Sequence, residues 1–289
     1  MNNKKGFAKL FNFIFEKKDR ALVAPVSVFS DNDNVLWITD RALHELVAVK
    51  KNKIINISRI FKNENILSSP IGLCVFPDNT VLFTDSDNGK VYFFNNKTNT
   101  SGVFNKNDTL IRPAGIAYSV LTEEVFVSEA GAHRISVFDK NGKLLRIIGQ
   151  RGNADGEFNF PGFIWIDDSG VIYIVDALNF RVQIFDKNGK FVKSFGKHGD
   201  GTGSFACPKG IASDTFGNIY VVDALFNVVQ IFDRNGRFLY AFGKKGQDKG
   251  EFWMPTGIFI DSDNNIYVAD SYNSRVQVFQ LISKEKYEN

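Results

Sequence analysis

Six of the chain's seven prolines recur at almost constant intervals, as Pro25, Pro70, Pro113, Pro161, Pro208 and Pro255, with gaps of 45, 43, 48, 47 and 47 residues. Each opens a segment that reads like its neighbours, most plainly PKGIASDTFGNIYVVDALFNVVQIF and PTGIFIDSDNNIYVADSYNSRVQVF. Self-similarity at a period of roughly 40 to 50 residues points to a propeller or a solenoid, because each unit must bury its apolar face against the next copy. By length alone the 289 residues suit two domains; the end-to-end repeat makes residues 1–289 one body.

Within a unit, a short apolar run follows the proline (GIAS, GIFI, GIAY), then a turn rich in Asp, Asn, Gly or Ser (DTFGN, DSDNN, DDSG). A β-branched or aromatic run ending in an acid comes next (IYVVD, IYVAD, IYIVD, VLFTD, VFVSE), then RVQIF, VVQIF, RVQVF, RISVF or KVYFF. Runs of this length without helical period, bounded by turn residues, are strands. In repeats three to five an Asn-Gly turn leads to a fourth strand, KLLRIIG, KFVKSFG or RFLYAFG; Asn-Gly favours a hairpin because both residues tolerate positive φ. Four antiparallel strands repeated six times predict an all-β, six-bladed β-propeller, whose closed ring leaves no long edge to cap.

The last repeat has three strands, through RVQVF, and then trails off in residues 281–289 with no hairpin signal. Phe7 and Phe11 repeat the spacing of Phe191 and Phe195, and KKGFAKLF echoes GKFVKSF. Residues of about 5–15 are therefore expected to supply the missing outer strand of blade six and close the ring, with 1–15 as the closing segment. The alternative is a basic amphipathic helix, since Phe7, Leu10, Phe11, Ile14 and Phe15 also follow helical spacing.

The proline-glycine opening, the IYVAD-like second strand and the N-x-R-V-Q-x-F third strand resemble the NHL-repeat family. The likeness is best in YIVDALNFRVQIF and YVADSYNSRVQVF, and the linkers GNADGEFNFP, GDGTGSFACP and GQDKGEFWMP share its approach to the proline. It fades in the first two repeats, where Glu45 and Lys90 replace Arg181 and Arg275. The acids closing the second strands are Asp40, Asp85, Glu129, Asp176, Asp223 and Asp270. A carboxylate present in every blade is expected to be structural, satisfying backbone donors of the following turn or pairing with Arg134, Arg181 and Arg275.

A shared fold does not carry an activity, and the chain lacks the ligands that enzymes of similar fold use. Amidating lyases related to NHL proteins hold zinc through histidines after the blade-opening prolines; here those positions are Val26, Ile71, Ala114, Gly162, Lys209 and Thr256. Lactonases of the paraoxonase and gluconolactonase type need a calcium-binding acid at the first blade's opening, where this chain has ALVAPVS. His44 and His133 stand at equivalent turn positions with no third ligand beside them, and are expected to be exposed turn residues. No catalytic residue, metal or cofactor is expected. A metal-dependent hydrolase or lyase is the competing class.

The linkers before each proline and the turns after each acid should emerge on one face. In blades four to six that face gathers Phe160, Leu178, Phe180, Leu225, Phe226, Trp253, Met254 and Tyr272, with Arg151, Lys197, His198, Lys244 and Lys245. Phe158, Phe205 and Phe252 recur at one repeat position and are assigned a structural role. Departures from the repeat, Trp253 and Phe226 above all, mark a partner-binding face for a protein or peptide. Single-stranded RNA is a weaker option, because the formal charge is only +3. Cys74 and Cys207 fall in repeats that oppose each other across the ring and are expected to stay unpaired. No run reaches the ~18 apolar residues of a membrane span. A cytoplasmic monomer is expected, with an extracytoplasmic location as the alternative if a signal was removed.

Overall fold

The computed structural model describes residues 13–14, 22–51, 53–56 and 67–280. They form six four-stranded antiparallel sheets arranged as the blades of a six-bladed propeller. The innermost strands are Pro25–Ser30, Pro70–Val75, Pro113–Ser119, Pro161–Ile166, Pro208–Ser213 and Pro255–Ile260, so every periodic proline begins one. The six acids end the second strands. No described helix is long and apolar enough to cross a membrane.

Burial explains the residue patterns. Second strands such as Ile172–Asp176 and Ile219–Asp223 are buried at every position, because a neighbouring blade covers each face. The outer strands Leu144–Ile148 and Phe191–Phe195 alternate between half-buried and exposed, as strands with one covered face do. The core is divided into six apolar clusters, each between adjacent blades. Trp37 and Leu46 of blade one meet Phe83 and Phe94 of blade two, and around the ring Val28, Ile38 and Val47 of blade one meet Phe259 and Val276 of blade six. Phe158, Phe205 and Phe252 are fully buried and pack on Phe185, Phe232 and Phe279 with centroids 5.8, 5.6 and 5.8 Å apart.

Hydroxyls tie several blades together near the axis. Thr39, Thr84 and Ser128 donate to the carbonyls of Ile71, Ala114 and Gly162 in the next blade at 2.6, 2.6 and 2.7 Å. Val175 and Val222 take that position in blades four and five. Between blades six and one, Ser271 Oγ donates to the Pro25 carbonyl at 2.6 Å and Thr256 Oγ1 to that of Val26 at 2.9 Å.

Phe13–Ile14 pairs antiparallel with Arg275–Gln280, Phe13 opposite Val278 and Ile14 opposite Gln277, on the outer side of blade six. The remainder of the expected closing segment and the 281–289 tail lie outside the described residues. The Asn-Gly hairpins differ from expectation: Gly142, Gly189 and Gly236 have φ of +85°, +82° and +78°, while the preceding asparagines do not have positive φ. The reason is local. The Asp139 carboxylate accepts from the Asn141 and Lys143 amides, and Asp186 and Asp233 act in the same way, fixing a longer turn that ends on a left-handed glycine. Both cysteines are free, and burial pushes the Cys74 thiol pKa up.

Candidate functional site

The six acids are fully buried and stitch each blade's linker to its turn. Asp40 accepts from the Val23 and Ala24 amides, Asp85 from Ser68 and Ser69, and Asp223 from Ala206 and Cys207. Glu129, Asp176 and Asp270 accept from Ile111, Asn159 and Trp253, and each also binds the Nε of Arg134, Arg181 or Arg275 at 2.8 Å. Donors of the following turn contribute as well, as Ala42 and Leu43 do to Asp40. The preceding linker, 16 to 18 residues upstream in sequence, was the donor group that sequence reasoning missed. Among the described residues no group of three His, Cys, Asp or Glu side chains is placed to hold a metal ion.

Linkers and turns lie together on the proline side, since the Leu178, Ala224 and Tyr272 amides donate to the carbonyls of Asn159, Cys207 and Trp253. Trp253 and Tyr272 are exposed and meet edge to face at 5.7 Å. Phe160, Phe180, Phe226 and Met254 are half-buried. Phe160 packs on His133 at 4.6 Å and Phe180 on His198 at 4.4 Å, so these rings also join neighbouring blades. His133 is buried and accepts the Phe160 amide at 3.1 Å, which corrects the expectation of an exposed turn residue; His44 is exposed but contacts the Ser68 carbonyl. Both are inter-blade links, because the left-handed residue of this turn reaches the next blade's linker. Arg151, Lys197 and Lys245 are exposed at the same linkers, and Lys244 pairs with Glu251 at 3.0 Å.

The opposite face opens into an axial cavity of about 630 Å³, which the sequence reading did not anticipate. Its wall is made of the inner strands and its rim of the turns that follow them. Near the axis, Trp165 of blade four reaches past Ala212 of blade five to meet Phe259 of blade six at 6.0 Å, and Phe259 meets Phe29 of blade one at 4.2 Å. The Trp165 indole donates to Ser213 Oγ at 2.8 Å. Asp31, Asp167, Asp214 and Asp261 begin the turns of blades one, four, five and six. Each accepts turn amides and the ring donor six residues on: Trp37 Nε1 at 2.8 Å, Tyr173 at 3.0 Å, Tyr220 at 3.0 Å and Tyr267 at 3.1 Å. Burial, followed by the charge of the adjacent aspartate, pushes all three phenols well above the ordinary tyrosine range. The available signal was Trp165 itself, a tryptophan where the other blades carry Phe29, Cys74, Ala117, Ala212 and Phe259.

Several solved structures share this architecture. A catalytically inactive virginiamycin B lyase from Staphylococcus aureus, with quinupristin, is 15% identical with a TM-score of 0.68, covering 95% of this chain and 100% of that one. An auxiliary nutrient binding protein from Bacteroides thetaiotaomicron is 14% identical with a TM-score of 0.70, covering 89% of this chain and 69% of that one. A chain of the nidogen/laminin complex is 19% identical with a TM-score of 0.60, covering 75% and 79%. At such identities the likeness is one of fold. No curated protein matches the chain. Residues 105–179, 168–227 and 212–289 match a family described as 6-bladed beta-propeller, and together they span well over half of the sequence. The chain belongs to that 6-bladed β-propeller family.

Proposed function

We propose that this chain is a non-catalytic propeller of NHL type that presents its proline-side face to a protein or peptide. The observation that carries the reading is the exposure of Val23, Ile111, Leu178, Leu225, Trp253 and Tyr272, all in linkers or turns of that face. Large apolar side chains gathered on one surface favour association, and a Trp–Tyr pair is the kind of anchor on which binding energy concentrates. The buried acids support a structural use of the carboxylates, since each is engaged by backbone or arginine donors. That a chain of similar fold occurs in the nidogen/laminin complex is consistent with a scaffold role.

The test is affinity capture with the wild type beside a Trp253→Ala, Tyr272→Ala double variant. A partner lost only from the variant supports the reading, and an unchanged set of partners removes the face. Stoichiometric zinc or calcium in purified protein would favour the hydrolase or lyase class instead. Salt-sensitive filter binding of single-stranded RNA would favour the nucleic-acid class.

A further inference from the structure

The axial cavity differs from the proline-side face in chemistry and in distribution among blades. Its lining includes six carboxylates, Asp31, Asp167, Asp168, Asp214, Asp261 and Asp263, against the single guanidinium of Arg234, although the whole chain is formally +3. The four turn-starting acids are occupied by amide and ring donors. Asp168 and Asp263 are exposed and form no hydrogen bond or ion pair through their carboxylates with any described residue. Blades two and three put no acid on this lining, so the negative charge lies to one side of the axis.

Most inner-strand residues of the lining are apolar or aromatic, with Ser27, Ser30 and Ser213 among them. Phe29, Tyr118, Phe163 and Trp165 are half-buried and line the cavity, and the Trp165–Phe259–Phe29 contacts run along its wall from blade four to blade one. A volume near 630 Å³ lies within the range that encloses a small organic molecule. An aromatic wall beneath an acidic rim matches a ligand with an apolar body and a positive end. An anion would meet like charge at the mouth, and a fully polar cation would lose hydration against the rings without recovering it.

We propose that the axial cavity binds a small amphipathic organic cation, its apolar body on the Trp165–Phe259–Phe29 wall and its ammonium group at the Asp168 and Asp263 carboxylates. The aromatic faces add quadrupolar attraction for positive charge close to them, and the low-dielectric walls strengthen the field of the rim. This site is on the opposite face from the protein-docking surface and does not depend on it.

Calorimetric titration of the full chain with phenylbutylamine, phenylbutanol and phenylbutyrate tests the proposal, because the three probes share one body and differ in charge. The amine is expected to bind about tenfold or more tighter than the alcohol, and the carboxylate weakest, with the amine's advantage shrinking as salt is raised. An Asp168→Asn, Asp263→Asn variant, altered only at exposed side chains, is expected to lose about threefold to tenfold in amine affinity while leaving the alcohol unchanged. Trp253→Ala, on the other face, is expected to bind the amine as the wild type does. Equal binding of amine and alcohol, an amine affinity untouched by the double substitution, or no amine binding at all overturns the proposal. Loss of a captured protein in Trp253→Ala with amine binding intact would separate the two sites.

Discussion

At the scale of single residues, the buried acids do one job by two routes. Asp270 accepts the Trp253 amide at 2.8 Å with one oxygen, while the other receives Asn273, Arg275 and Gln277 at 2.9, 2.8 and 3.0 Å. Asp223 faces Val228 instead of an arginine and accepts only amides, from Ala206, Cys207 and Phe226. Removing either carboxylate orphans backbone donors, but Asp270→Ala also breaks the buried ion pair with Arg275 Nε and the bonds from Asn273 and Gln277. Asp270→Ala is expected to cost about 3 kcal/mol or more, and Asp223→Ala about 1–2 kcal/mol, in chemical denaturation of the two variants. Equal losses would show that linker capping, with no contribution from the guanidinium, accounts for these positions. That every blade closes its second strand on an acid was legible in the sequence. The acids' main donors were not legible, since the linker lies 16 to 18 residues away and meets the acid only once the blade has folded.

At the scale of the strand, cross-strand pairs hold the outer edge of a blade. Arg146 of the fourth strand of blade three reaches over the third strand to grip both oxygens of Glu124 in the second, at 2.5 and 2.8 Å. That bond, opposed by partial burial and aided by the guanidinium charge, holds the Glu124 carboxyl below its ordinary range. A depressed carboxyl contributes stability above its unfolded pKa of about 4.3 and loses it as pH falls through the folded value. Because the pair is partly exposed, Glu124→Gln is expected to cost under about 1 kcal/mol at neutral pH, or a melting shift of about 2–4 °C at most. The deficit should close below about pH 4, as the wild type itself protonates. A deficit that stays constant from neutral to acid pH would assign the loss to packing. Strands of this kind could be read from composition and turn residues alone. Turn geometry could not: the Asn-Gly pairs marked the hairpins correctly, but the preceding aspartate chose their conformation by capturing two amides.

At the scale of the whole molecule, the proline period specifies six units, while the axial cavity depends on how those units face each other. Which inner-strand side chains meet is decided by blade-to-blade stacking, as when Trp165 passes Ala212 to touch Phe259 two blades away. A period can flag such a residue as an exception but cannot supply its partner. Closure is the remaining whole-molecule question, and two sets of contacts bear on it. The inner contacts are the Ser271 and Thr256 bonds to blade one and the apolar cluster around Val28 and Phe259. The outer contact is the pairing of Phe13–Ile14 with Arg275–Gln280. Of these two sets, deleting residues 1–15 removes the outer one and uncovers the edge of Arg275–Gln280 that Phe13–Ile14 pairs with, which invites pairing with other chains. The truncated protein is therefore expected to remain a propeller but to melt several degrees lower, as losing a few hydrogen bonds worth about 1 kcal/mol each implies. Hydrogen exchange should show faster opening confined to Arg275–Gln280, with blades three to five unchanged. An unchanged melt and unchanged protection in blade six would instead assign the segment to the amphipathic helix that its spacing also permits.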